Sequence, residues 1–289
     1  MEVLSYVFSI FAFIFSLNDI FTIKKDTIDI SDYDYPKQDN KDNIEYVAII
    51  CTTDIHGYAF SRTKQLKANV SYGGSPILYS YIKRLREEFP GRLVWFDSGE
   101  KFQGAVEGGF ENGSALIDFF NYGKVDLNIL GNHEFDYGMT QLKKNIQNLD
   151  AKILNCNMFY KGNGEDWVKE NTMPYAIENY GDIDVAYIGV STPWSITSST
   201  PLRFMSNGSF VYDFSGNDGA QHFYDVIQYN IDECKEKGAE YVVLLTHLGI
   251  DTKADTPFTS IELAKNTTGV DIVLDAHSHF VSSDMVEKN

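Results

Sequence analysis

Five of the six histidines in this chain stand just after short apolar runs, in company with Asp, Glu or Asn. Asp54-Ile-His56 follows the run at 46–50. Asp97-Ser-Gly-Glu100 follows 93–96, and Gly131-Asn-His-Glu-Phe-Asp136 follows 127–130. Thr246-His247 follows 241–245, and Asp275-Ala-His277-Ser-His279 follows 272–274. Imidazole mixed with carboxylate suits Zn, Mn or Fe, whereas Ca takes oxygen alone. An isolated Asp-x-His is common by chance, and a lone His after a strand is more often a hydrogen-bonded loop residue. Five such clusters, each at the end of an apolar run, argue instead for one metal centre. In an extended segment His277 and His279 project to the same side, which suits two ligands. The sixth histidine, His222, reads as an ordinary helix-face residue.

The elements that must position these groups alternate along the chain. Buried strands are expected at 46–50, 93–96, 127–130, 152–155, 185–190, 241–245 and 272–274. Helical spacing marks 76–89, stopped by Pro90-Gly91, and then 114–122, 139–149 and 220–237. Strands alternating with helices indicate an α/β fold with strands covered on both faces. In such sheets ligands bind outside the carboxyl ends of the strands, where all five clusters fall. The stretches 158–175 and 192–217 are rich in Gly, Asn, Ser and Thr and read as long surface excursions.

Composition narrows the function. The chain has 289 residues, 43 % of them hydrophobic and 22 % charged, with a net charge of −17. That charge argues against a nucleic-acid partner, which requires a basic surface. A small phosphate ester is compatible with it, provided bound cations receive the phosphate. Residues 1–17 read as a signal peptide, 18–44 as a linker or irregular arm, and 45–289 as the folded domain. No later segment is apolar for long enough to span a membrane. Four sequons, at Asn69, Asn112, Asn207 and Asn266, fit a secreted or cell-surface glycoprotein. The three cysteines make no disulfide framework; Cys51 and Cys156 read as buried thiols, and a disulfide through Cys234 is left open.

Taken in order, DIHG, SGEKFQG, GNHEFD, THLG and DAHSHF resemble the motif set of the calcineurin-like metallophosphoesterases. The branch they are most similar to contains 5'-nucleotidases, UDP-sugar hydrolases and 2',3'-cyclic-nucleotide phosphodiesterases. The resemblance implies a four-layer αββα sandwich with two divalent metal ions at its edge. It implies that Asp54, His56 and His279 hold one ion and that Asn132, His247 and His277 hold the other. Glu100 then stands at the position of the bridging carboxylate, and His133 and Asp136 at those of the catalytic His and the Asp that orients it. The activity implied is hydrolysis of phosphate esters, most of all of nucleotides, by in-line attack of a metal-activated water. His133 would stabilise developing charge or protonate the leaving group.

Two residues and the length of the chain depart from the family pattern. Glu100 replaces the usual bridging Asp and is one methylene longer, and Ala276 replaces a usual Gly. The family's catalytic domain continues past the HSH motif and nucleotidases add a C-terminal specificity domain. A second sheet left incomplete is therefore expected, with the specificity domain absent and the edge open. Asp97 is expected to play a supporting part and not to be a ligand. The alternative function is a secreted binding protein that keeps the fold but has weakened or lost turnover.

Overall fold

The computed structural model describes residues 10–16, 19–20, 46–59, 62–65, 69–72, 74–250 and 256–279. Six strands make the first sheet: β1 (Ile10–Ser16), β2 (Asp19–Ile20), β3 (Tyr46–Thr52), β4 (Leu93–Asp97), β5 (Leu127–Asn128) and β6 (Lys152–Ile153). Their order is β2-β1-β3-β4-β5-β6. From β3 onward the strands run parallel, with Ala48 opposite Leu93 and Phe96 opposite Leu127. β1 instead runs antiparallel to β3, Ile10 facing Thr52. The stretch read as a leader thus includes a strand of this sheet, whereas the arm at 18–44 lies, apart from β2, outside the described residues.

Four strands make the second sheet: β7 (Tyr175–Asn179), β8 (Asp184–Ser191), β9 (Tyr241–His247) and β10 (Ile272–Leu274), in that order. β8, β9 and β10 are parallel, and β7 is antiparallel to β8.

Three apolar layers show how the sheets stack. Ile49, Val94, Phe96 and Leu127 of the first sheet pack with Tyr187, Val243 and Leu245 of the second, so the sheets face each other. The first sheet's outer face, with Ile50 and Trp95, meets α1 (Ser75–Glu88), α2 (Ser114–Gly123) and α3 (Met139–Gln147) through Ile82, Phe120 and Leu142. The second sheet's outer face meets α4 (Ala220–Glu236) and α5 (Ser260–Asn266) through Ile227, Ile231 and Leu263. This is the αββα sandwich. Strands buried on both faces explain the continuous apolar runs in the sequence. Among the described residues no helix is long and apolar enough to cross a membrane.

The structure corrects several expectations. The two stretches read as surface excursions are anchored: Trp167, Phe204 and Phe214 are buried in the same core as α1 to α3. Met158–Tyr160 pairs antiparallel with Tyr212–Phe214, tying one stretch to the other. Phe204 stacks 4.9 Å from Phe135 of the Asn132–Phe135 turn. Polar composition masked these anchors because a few aromatic side chains suffice to pin a long segment. β7 and α5 were not foreseen. α5 begins at Thr259, whose side chain accepts from the Glu262 backbone N–H. All three cysteines are free; Cys51 and Cys234 are buried and Cys156 is half-buried.

Candidate metal centre

Every expected site residue except Asp136 leaves the carboxyl end of a strand within a few residues, and the two sheets present those ends side by side. Asp54 and His56 follow β3, Glu100 follows β4, and Asn132 and His133 follow β5. His247 ends β9, and His277 and His279 follow β10. The backbone there is unusual. Asp54, His56, Glu100, His277 and His279 all have positive φ, between 47° and 84°. Such left-handed conformations cost a non-glycine residue on the order of 1–2 kcal/mol each. They turn the chain sharply enough for neighbouring residues to aim at one point. The segment carrying His277 and His279 is therefore not extended, as the sequence suggested, and the two rings part to opposite sides of the cluster.

Glu100 is at the centre. Its Oε2 lies 2.9 Å from His56 Nε2 and 3.4 Å from His279 Nε2; its Oε1 lies 3.2 Å from His247 Nε2 and 3.7 Å from His277 Nδ1. Asp54 Oδ1 is 3.6 Å from His279 Nε2. Two groups of donor atoms result, Asp54, His56, Glu100 and His279 in one, Glu100, His247 and His277 in the other. The extra methylene of Glu100 fits because position 131 is glycine. A Cβ there would stand 2.8 Å from Glu100 Cγ and 2.8 Å from His247 Cε1.

Hydrogen bonds behind the rings set their tautomers. His247 Nδ1 is 2.6 Å from the Ser98 carbonyl and His56 Nδ1 is 2.9 Å from the Gln103 carbonyl. Each Nδ1–H therefore donates outward, leaving Nε2 as a lone pair facing inward. Asp54 accepts weakly from the His277 backbone N–H, joining the two groups.

Charge is concentrated and mutually dependent. Burial disfavours ionised Glu100, but the surrounding imidazoles outweigh it and hold the carboxyl far below its usual range. Burial also pulls the His247 imidazole down, yet Glu100 beside it prevails and pushes it up to about 9. Burial raises the Asp54 carboxyl above its ordinary value.

The donor set fits divalent metal ions. Asn132 Oδ1 and His277 Nδ1 are buried without a hydrogen-bond partner, a costly condition in protein alone, and His247 Nε2 has only the Glu100 carboxylate, 3.2 Å away. All three atoms carry lone pairs suited to a cation. Mixed nitrogen and oxygen donors suit Zn, Mn or Fe.

Beside this cluster is a second device. His133 Nδ1 lies 2.7 Å from Asp136 Oδ2, and the Ser199 hydroxyl donates to Asp136 Oδ1 at 2.6 Å. The Asp136 hydrogen bond raises the His133 imidazole above its usual value. His133 Nε2 faces Glu100 Oε1 at 4.0 Å. A cleft of about 590 Å³ opens here, lined by His56, Glu100, Asn132, His133, His277 and His279 among others. Tyr58, Gln103, Gly104 and Ser198 complete its wall. His222 stands apart, exposed on α4 against Asp218.

Glu134, Lys101 and Ser199 escaped the sequence reading. Glu134 lay in view inside GNHEFD, but two of its three backbone partners, Glu100 and Lys101, are more than thirty residues away. Asp97 is fully buried with Lys101, its Oδ1 3.2 Å from Lys101 Nζ, in the supporting position expected of it.

Comparison with known proteins gives this arrangement a family. A family model described as "Bacterial capsule synthesis protein PGA_cap" matches residues 97–289. The chain belongs to this family. The chain is also similar to calcineurin-like phosphoesterases of the nucleotidase branch. The trifunctional nucleotide phosphoesterase YfkN of Bacillus subtilis is 25 % identical over 256 residues, covering 81 % of this chain and 16 % of that protein. A snake venom 5'-nucleotidase from Naja atra is 25 % identical over 237 residues, covering 81 % of this chain and 41 % of the relative. The crystal structure of a 5'-nucleotidase precursor from Thermus thermophilus superposes with a TM-score of 0.65 at 25 % identity, covering 81 % of this chain and 42 % of that one. The chain thus spans well under half the length of these relatives. The match to PGA_cap begins at Asp97, so it takes in Glu100, Asn132, His133, His247, His277 and His279 but not Asp54 or His56.

Proposed function

We propose that this protein hydrolyses phosphate esters of nucleotides, in the manner of a 5'-nucleotidase, with two divalent metal ions. The observation that carries the reading is a single carboxylate, Glu100, shared between two groups of histidines from three separate chain segments. Asp54, His56 and His279 would hold one ion and Asn132, His247 and His277 the other, with Glu100 common to both. When bound, such a pair supplies Lewis-acid polarisation of phosphoryl oxygens and an acidified water for in-line attack.

The chain's own groups do the rest. Asp136 fixes the His133 tautomer, so His133 directs Nε2 toward the cleft, where it stabilises a phosphoryl oxygen or protonates the leaving oxygen. Ser199 holds the second oxygen of Asp136 and keeps the pair in register. The ester group enters the open side of the cleft, near Tyr58 and Gln103. Relatives named as nucleotidases and nucleotide phosphoesterases support a nucleotide as the substrate.

Export to the cell surface or beyond is part of the same reading. The sequons at Asn112, Asn207 and Asn266 are all exposed, as glycosylation requires. The decisive test is phosphate release by purified protein supplied with Mn or Zn. Turnover of AMP, UDP-glucose, a 2',3'-cyclic nucleotide or p-nitrophenyl phosphate is the expected result. Two bound metals per chain without release from any of them would replace catalysis by a binding role.

A further inference from the structure

Beneath the metal centre is a buried ionic group that the proposed chemistry does not use. Glu134 and Lys101 are each about 1 % exposed and Asp97 is fully buried. Lys101 Nζ stands 3.2 Å from Asp97 Oδ1, 3.4 Å from Glu134 Oε1 and 3.2 Å from the Ile129 carbonyl. Three charges sealed from water are expensive and bring little net stability by themselves. Their arrangement suggests what they do instead.

The Glu134 carboxylate accepts three backbone N–H groups. Oε2 takes those of Gly131 at 2.7 Å and Glu100 at 2.8 Å, and Oε1 takes that of Lys101 at 2.8 Å. Two of these donors belong to the loop after β4 and one to the turn after β5. One side chain therefore clamps the loop bearing the shared carboxylate to the turn bearing Asn132 and His133. The clamp grips Glu100 at its own N–H, where the backbone is held at φ 58°.

We infer that Glu134, with Lys101 as its counter-ion, is a positioning residue that sets where the Glu100 carboxylate stands between the two metal groups. This rests on the metal reading above. Without Glu134 the left-handed turn at Glu100 loses its tie to the second loop. Both ends of the Glu100 carboxylate then drift from their histidines. Lys101 Nζ, 3.4 Å from Glu134 Oε1, balances the carboxylate's charge where water is excluded. An ionised carboxylate offers lone pairs to all three donors, whereas a carboxamide offers only one acceptor oxygen.

The test uses the full chain and Mn2+ as the probe. Glu134→Gln preserves volume but leaves Lys101 short of a partner, so Glu134→Gln is also combined with Lys101→Met to remove both charges. Circular dichroism identifies the variants that fold, and calorimetric titration with Mn2+ measures affinity. Folded variants should bind Mn2+ about 10- to 100-fold more weakly and should turn over p-nitrophenyl phosphate with a lowered kcat and an unchanged KM. A role in folding alone would lower the unfolding temperature and leave Mn2+ affinity as in the parent. A folded double variant with parental affinity and kcat overturns this inference while the metal reading stands. A parent chain that takes up no Mn2+ overturns the metal reading and this inference together.

Discussion

The two halves of the metal centre are built differently. His247 is wholly buried, Asn132 is 2 % exposed, and a carbonyl behind His247 fixes its ring. In the other half the His279 side chain is 41 % exposed. Glu100 joins the two. The buried half is organised by the protein before any ion arrives, since its lone pairs have nowhere else to go. The open half is where solvent reaches the cluster, at His279.

The largest effect should come from the buried half. His247→Asn removes a wholly buried donor of the proposed centre, and should lower kcat roughly 10²–10³-fold. Metal analysis should show one ion lost together with that activity. Glu100→Asp comes next. The shortened side chain withdraws from four histidines at once, and a displacement of about 1 Å costs on the order of a hundredfold in rate. Steady-state kinetics with p-nitrophenyl phosphate measure it, and a rise in rate would show that the two halves are set by their loops and not by Glu100.

Acidity offers a third probe of the same asymmetry. His247 is raised from its ordinary 6.5 to about 9 in the folded protein. A raised imidazole contributes stability that is complete below pH 6.5 and lost as pH climbs through 9. For a shift of this size the contribution is about 3 kcal/mol. Chelator-treated protein should therefore unfold at lower urea at pH 9.5 than at pH 6. Metal-loaded protein should lose that pH dependence, because an imidazole engaged with a cation no longer binds the proton. Equal midpoints for the chelated protein at both pH values would separate His247 from Glu100.

In the open half the effects should be gentler. His279→Ala should make a chelator strip one ion early while the other stays, giving a biphasic titration and a smaller fall in kcat than His247→Asn. Ser199→Ala is the mildest: it removes one hydrogen bond worth roughly 1 kcal/mol, so kcat should drop about fivefold with metal content unchanged.

Much of this site could be read from residue order because local rules place it there. Apolar runs of β-branched residues become strands, and polar residues just past them must gather where parallel strands end. On that logic Asp54, His56, Glu100, Asn132, His133, His247, His277 and His279 stand out as candidates. It did not reach Glu134, whose importance lies in backbone groups from two loops, nor Lys101, since a lysine in sequence ordinarily means a solvated face. It misjudged the backbone at His277 and His279 because positive φ is uncommon outside glycine and only enriched at Asn, Asp and His, so residue type alone does not fix it. β7 was lost for a related reason: Tyr175–Asn179 has only Ala176 fully buried among its five residues, so no clear alternation marks it. α5 carried a usable sign, Thr259 followed three residues later by Glu262, which is the start signal of a short helix.

The Phe135–Phe204 stack and the Ser199–Asp136 hydrogen bond give the 192–217 segment an unexpected standing. Long polar connections are where tags are usually inserted and where proteases usually nick without harm. Here a cut near Ser199 would free one end of a cable whose other attachment is the turn that aims His133. Engineering should respect that tether and place any graft at the exposed Asn207–Gly208 tip, beyond both anchors.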